Sequence, residues 1–364
     1  MLCHSRFVQS RFKLSRLKQF SLKQCLRLLA LLLCGFAGAL PAADDHAVIL
    51  LYHHVSASTP PSTSVTPDQF RQHLDYLHSN GYQVLALDDL LDRLMAGKTV
   101  PENSVVITFD DAYESIYSQA APLLEELGWP YTVFLASEPL DNKTRGYLSW
   151  QQARELRGRG ASFAPHSVTH AYLARRQKEE SEAAWQRRIS WEIDENRARL
   201  KAELGAAGNS FAYPFGEYNA AMKALLQARK LYGLAQQSGA VGHHTDPRQI
   251  PRFPMATGYA DMERFKVAIN SRPLPVLEET LAAPGAASSG SVLTLRLAAG
   301  DYREQGLGCF TAAGEPLQLV AQAALTYQLQ LPPSQPGRNK INCTAPALSG
   351  RSEFFWHSYL WLDY

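Results

Sequence analysis

Two adjacent carboxylates close an apolar run, Val105-Val106-Ile107-Thr108-Phe109, followed by Asp110-Asp111. Asp is a common turn residue, so a strand surfacing into a turn would account for a lone pair of this kind. Neighbouring like charges repel, however, and neither is easily desolvated without a partner. Further along, "FAPHSVTH" sets His166 and His170 four residues apart, which places two imidazoles on one side of a helical turn in the spacing of two-His metal sites. Together with a strand-end carboxylate they make a two-His, one-carboxylate set with open positions, able to bind a divalent metal and activate water. The second carboxylate, not bound to metal, could take the proton of that water. Tyr52-His53-His54 and Arg252 in "IPRFP" end two further apolar stretches. Four of the eleven histidines thus fall at such ends, and this clustering gives the Asp pair a chemical reading.

Those residues need elements to position them. From residue 47 to about 255, short apolar runs alternate with amphipathic stretches. "AVILLYHHV", "YQVLAL", "SVVITF", "YTVFLA", "ASFAPH", "SFAYPFG" and "LYGLAQQ" read as strands. Between them, "TPDQFRQHLDYLHSNG" reads as a helix with Thr66 as N-cap, Pro67 in the first turn and Gly81 as terminator. Ser149 is predicted to cap another helix, and residues 178–204 form a long charged one. Repeated β–α units of this length imply a parallel sheet or barrel, and about seven strands suit an irregular (β/α)7-type barrel. In such folds functional side chains gather at the carboxyl ends of the strands, where every residue named above falls.

The motifs "TFDDAY", "HSVTH", "YPFGEYN" and "LLYHHVS" resemble those of the polysaccharide deacetylase family, the chitin deacetylase-like carbohydrate esterase family 4. Their order resembles its circularly permuted branch, which includes poly-N-acetylglucosamine N-deacetylases. The resemblance runs from about residue 47 to 256. It implies that Asp110 is the catalytic base, that Asp111, His166 and His170 hold one divalent metal, zinc in the cell, and that the backbone N–H near Phe215 helps stabilise an oxyanion. It implies His53 as the general acid protonating the leaving amine, with His54 as the alternative imidazole. Ala212-Tyr213 stand where the family usually has an Arg before the Pro-Tyr-Gly motif, so Arg252 becomes either the partner of Asp110 or a structural ion pair. Tyr147, Trp150, Tyr213, Phe215 and Tyr218 are aromatics that could stack on sugar rings. The implied activity is removal of N-acetyl groups from an N-acetylhexosamine polysaccharide by attack of metal-activated water. An O-acetyl esterase and a non-catalytic polysaccharide-binding protein are the alternatives; the intact Asp110, Asp111, His166, His170 and His53 set argues against the second.

The chain has 364 residues, 46% of them hydrophobic, enough for one large domain and a small one. Residues 1–41 carry seven Lys or Arg and no Asp or Glu, and they run into the apolar stretch "LRLLALLLCGFAGALPAA", which describes a cleaved signal peptide over 1–43 and export to the periplasm or beyond, with a retained membrane anchor as the alternative. Removing those seven bases from 36 leaves 29 against 34 acids, a formal balance of −5, which carries no nucleic-acid footprint. The deacetylase-like domain is expected over 44–272, and the Pro-, Ala-, Gly- and Ser-rich stretch 273–290 reads as a linker. Residues 291–364 show short alternating patterns that suggest a small β-sandwich, through which envelope or exopolysaccharide-export partners could bind. Beyond the leader only Cys309 and Cys343 remain, an even pair that reads as a disulfide in an oxidising compartment or else as two buried thiols.

Overall fold

The computed structural model describes residues 45–256, 258–282, 290–349 and 353–364. The expected signal peptide lies outside the described residues. Among those described, no helix is long and apolar enough to cross a membrane.

The architecture is mixed α/β. Strand β1 (His46–Tyr52) is buried from Ala47 onward, and β2 (Ser104–Phe109) along its whole length, as their unbroken apolar sequences require of strands covered on both faces. They pair in parallel from Ala47 opposite Ser104 to Tyr52 opposite Phe109. Next come β3 (Tyr131–Leu135) and β4 (Ala161–Pro165), each parallel to its predecessor. Strands β5 (Ser210–Ala212) and β6 (Tyr232–Leu234) form a separate parallel pair. Strand β7 (Phe253–Pro254) runs parallel to β1 on the side away from β2.

Two sets of hydrogen bonds join these groups. The Gly208 N–H donates to the Phe163 carbonyl (3.1 Å), and the His166 Nδ1–H lies 2.8 Å from the Ala212 carbonyl, linking β4 to β5. Leu234 bridges Ile250 in parallel, linking β6 to the segment that enters β7. The seven strands therefore run in a circuit that returns to β1. The strand expected over "YQVLAL" shrinks to Gln83–Val84, which pairs only with the start of β2. The chain then turns directly into the helix Leu87–Met95, whose Leu87, Leu90, Leu91 and Leu94 are buried. The last two residues of the expected strand, Ala86 and Leu87, are instead the N-cap and first position of that helix.

Helix starts follow their caps. The Thr66 hydroxyl accepts from the Gln69 N–H while the Gln69 side chain accepts from the Thr66 N–H, a reciprocal capping box at the start of Pro67–Ser79. Ser149 and Gln152 repeat it at Trp150–Gly158. The long helix spans Glu182–Leu204 between Ser181 and Gly205, whose φ of 74° favours glycine.

The linker expected over 273–290 is corrected in part. Val276–Leu281 is a strand, β8, antiparallel to β9 (Val292–Leu297). Pro, Ala, Gly and Ser elsewhere in the window masked six residues able to pair; residues 283–289 lie outside those described. Then follow β10 (Gly308–Thr311), β11 (Leu319–Ala323), β12 (Thr326–Gln330), β13 (Gly337–Pro346) and β14 (Phe354–Asp363). One sheet has the order β8-β9-β12-β11; the other runs from Arg272–Pro273 through β14, β13 and β10 to Pro316–Leu317. Alternate residues face one shared core: Leu293, Leu295 and Leu297 from β9, and Ile341, Cys343 and Ala345 from β13. This core is separate from the cluster around β1 and β2.

Cys309 and Cys343 stand directly opposite each other on β10 and β13 and are disulfide-bonded, 34 residues apart in sequence. The chain-entropy model gives such a loop about 3–4 kcal/mol. A Cys309→Ser, Cys343→Ser double variant should unfold this unit at lower temperature than the parent chain in a calorimetric scan. An unchanged melting profile would show that the sheet alone holds the strands.

Candidate active site

Strand β2 delivers the two carboxylates in different directions because the backbone flips between them. Asp111 has φ of 70° and Ala112 of 59°, left-handed conformations that cost a non-glycine residue about 1 kcal/mol or more. Ser167 (69°), His170 (54°) and Phe215 (58°) share this conformation, so five strained residues surround one spot.

Asp110 points into the closure of the strand circuit. Its Oδ1 and Oδ2 accept from Nη1 and Nη2 of Arg252 at 2.7 and 2.8 Å, a bidentate pair with both side chains fully buried. Arg252 is itself fixed, donating through Nε to the Ala235 carbonyl (3.0 Å) and lying over the Phe134 ring. Burial alone would raise the Asp110 pKa; the Arg252 charge, helped by His166 and His53, holds it below the usual carboxylate value. Gln236 Nε2 donates to the same Oδ2 at 3.4 Å.

Asp111 turns instead toward the histidines. Its Oδ1 lies 3.3 Å from His166 Nε2 and 3.1 Å from His170 Nε2. Asp111 Oδ1 and His166 Nε2 are buried and, though close, are not aligned as a hydrogen bond. His166 spends its Nδ1–H on the Ala212 carbonyl, which leaves the Nε2 lone pair aimed at the shared point. Two orphaned buried atoms and a third donor, all within 4.8 Å of one another, fit a divalent cation bound by two nitrogens and one oxygen. Burial acts to raise the Asp111 pKa, but the two adjacent imidazoles take it well below normal.

The helix Glu182–Leu204 supports this cradle, a role the sequence reading missed. Glu192, 3% exposed, accepts from the N–H groups of Val168 (2.8 Å) and Thr169 (3.0 Å) and from the Thr169 hydroxyl (2.6 Å). Asn196 Oδ1 accepts from the His166 N–H at 3.0 Å. A signal was present: Trp185, Ile189, Ile193 and Leu200 form the buried stripe, and Glu192 and Asn196 are polar residues on it. Glu192→Leu removes the one oxygen, Oε2, that accepts from both N–H groups, so the loop between the histidines should loosen. Metal affinity should fall about tenfold to hundredfold in a chelator competition, as other supporting changes around metal sites do. Unaltered affinity would limit Glu192 to a folding role.

The two histidines after β1 part company. His53 lies where Asp111, Asp110, Arg252 and His166 all act on it; burial is the largest influence and lowers its pKa. His54 stacks on Tyr113 with ring centroids 3.6 Å apart. Phe215 follows Pro214 in a tight turn, its ring against Tyr172 (3.8 Å) and His170 (4.6 Å). Tyr213 and Tyr218 are corrected as sugar-stacking candidates. Tyr213 is fully buried with its hydroxyl on the Arg248 carbonyl, and Tyr218 is nearly so with its hydroxyl on Gln237. Tyr213, immediately after β5, is here a core residue. Trp150 belongs to the helix start, donating to Asp141 beneath Arg199.

Residues 97–235 match the family model described as polysaccharide deacetylase. The chain carries a polysaccharide deacetylase domain. It is 28% identical over 213 residues to YxkH of Bacillus subtilis, assigned by its name to polysaccharide deacetylation, covering 58% of this chain and 71% of that protein. It is 26% identical over 209 residues to the poly-β-1,6-N-acetyl-D-glucosamine N-deacetylase of Escherichia coli, covering 47% of this chain but only 31% of that one. The fold of the deacetylase domain resembles Streptococcus pyogenes deacetylase PplD, with a TM-score of 0.56 and 21% identity, covering 62% of this chain and 99% of PplD. The matched segment of the deacetylase domain contains Asp110, Asp111, His166, His170 and Phe215, and excludes His53 and Arg252.

Proposed function

We propose that this chain is an exported, zinc-dependent N-deacetylase acting on an N-acetylhexosamine polysaccharide. The observation that carries the reading is the buried Asp110–Arg252 pair beside an Asp111, His166 and His170 cradle. In this reading the strand circuit is an irregular (β/α)7-type barrel over 44–272. The two C-terminal sheets are a small sandwich, and residues 1–43 direct export.

A divalent cation in the cradle would polarise the acetamide carbonyl and acidify a water. Asp110, held acidic by Arg252, is a weak base and accepts a proton only from a water made acidic beside it, so base and cradle must adjoin. The water oxygen forms a bond to the carbonyl carbon, and its proton passes to Asp110. The Phe215 N–H faces the negative oxygen that results. Cleavage of the C–N bond then requires a proton on the amine nitrogen, supplied by His53, and leaves acetate and a free amine. His54, stacked on Tyr113, serves as a wall.

Acetate release from poly-β-1,6-N-acetylglucosamine oligomers, from chitin oligomers and from O-acetylated xylan, with and without chelator, tests the reading. Release from the N-acetylated substrates that chelator abolishes is expected. Release from the O-acetylated substrate alone would make the chain an esterase, and none from any substrate would make it a binding protein.

His53→Ala should cut amide hydrolysis far more than hydrolysis of an activated aryl acetate, because a phenolate departs without a proton and an amine does not. A variant equally slow on both would assign His53 to positioning and transfer the acid role to His54.

A further inference from the structure

The C-terminal sheets do not stop at capping the deacetylase domain. Strand β13 runs past the candidate active site, and its Arg338 reaches into it. Arg338 Nη1 donates a short hydrogen bond to the Phe215 carbonyl and a second, at 3.3 Å, to Gln236 Oε1. Gln236 turns its Nε2 to Asp110 Oδ2, so its amide orientation is set by a donor on one end and the carboxylate on the other. The space is tight: a Cβ on Gly216, whose φ is 67°, would lie 2.5 Å from Gln236 Cβ and 2.8 Å from Arg338 Nη1.

The other side of the turn is held as well. Arg175 makes a bidentate pair with Glu217 (2.9 and 2.5 Å) and lies 3.8 Å over the Tyr172 ring, which in turn stacks on Phe215. Tyr364, the last residue of β14's extension, donates to Glu217 at 3.0 Å. Tyr172 therefore has a ring on one face and a guanidinium on the other and offers no face to a sugar. Both C-terminal contacts converge on a non-glycine turn in a conformation that does not persist unaided.

We propose that the C-terminal β-unit is part of the deacetylase active site, with Arg338 as a positioning residue that fixes the Phe215 turn and, through Gln236, one oxygen of Asp110. This deepens the functional reading above and rests on it for its kinetic consequence. Arg338 acts through the turn and the amide, not on substrate. Arg338 holds the carbonyl of the Phe215–Gly216 peptide; freed of it, that peptide can rotate about the strained Phe215 and shift the adjoining Pro214–Phe215 peptide, whose N–H then moves off the developing oxyanion. Displacements of this kind cost about a hundredfold when they approach 1 Å.

The test uses the full chain, metal-loaded, as wild type, Arg338→Lys and Arg338→Ala. Arg338 is solvent-exposed, so its truncation should leave the melting temperature and metal content unchanged. For Arg338→Ala, kcat on an N-acetylated oligomer should fall about tenfold to hundredfold with KM within about threefold. Methylguanidinium should restore part of the loss, and Arg338→Lys should fall between the two. Amide hydrogen exchange over residues 214–218 should rise at least about tenfold in Arg338→Ala, while exchange at 161–166 stays as in wild type. That measurement needs no turnover. If the wild type releases no acetate, the functional reading fails while exchange still decides whether Arg338 fixes the turn. Wild-type kcat together with wild-type exchange at 214–218 would overturn the proposal. So would a loss accompanied by a lower melting temperature and indifferent to methylguanidinium, since that describes ordinary destabilisation.

Discussion

Asp110→Asn is expected to keep its metal and lose turnover by about 10²–10⁴-fold, the range set by removing a general base. The asymmetry comes from the flip after Asp110: one carboxylate meets Arg252 and the other meets His166 and His170. Asp111→Asn should therefore lose metal and activity together. Asp110→Asn also leaves the buried Arg252 charge without its counter-ion, and breaking such a pair costs about 3–5 kcal/mol. A lower melting temperature should accompany its intact metal content, so turnover must be compared below the new transition. Equal metal loss in the two variants, measured by elemental analysis, would mean the roles of the pair are reversed.

His166→Ala and His170→Ala should each abolish activity by emptying the cradle. Altering a supporting residue around a metal site costs about tenfold to hundredfold in affinity, so removing one of three ligands should exceed a hundredfold. Their stability effects should differ. His166 is fully buried and bonded to Asn196 and Ala212, whereas the His170 side chain is 25% exposed. His166→Ala should melt lower than the parent even without metal; His170→Ala should match the metal-free parent. Retained metal and activity in His170→Ala would remove it from the ligand set.

Much of this arrangement was legible. The Asp pair, the HxxxH spacing and the His after β1 are local patterns, and each falls at a strand end because apolar runs make strands whose carboxyl ends share one side. The caps at Thr66 and Ser149 were readable for the same reason: capping is a contact among four consecutive residues. What escaped depends on residues far apart in sequence. Glu192 and Asn196 looked like ordinary members of a charged helix until that helix was set against the His166 loop. Tyr213 sat in a recognisable motif, yet its motif says nothing of the Gly233 backbone that packs against its hydroxyl. Val276–Leu281 pairs only because β9 lies beside it. Arg338 carries no motif at all.

The circuit of strands closes through the contact proposed to carry the proton chemistry: Asp110 stands at the end of β2 and Arg252 on the approach to β7. His53 comes from the first. On the proposed assignments, excision of residues 97–235 would retain all three candidate metal ligands, yet Asp110 would be an uncompensated interior anion and the proposed acid would be missing. Domain shuffling that treats that central stretch as a portable catalyst would transfer a metal binder without its proton chemistry. The smallest transplantable unit runs from the first strand past Arg252, and, with Arg338 in place, nearly to the end of the chain.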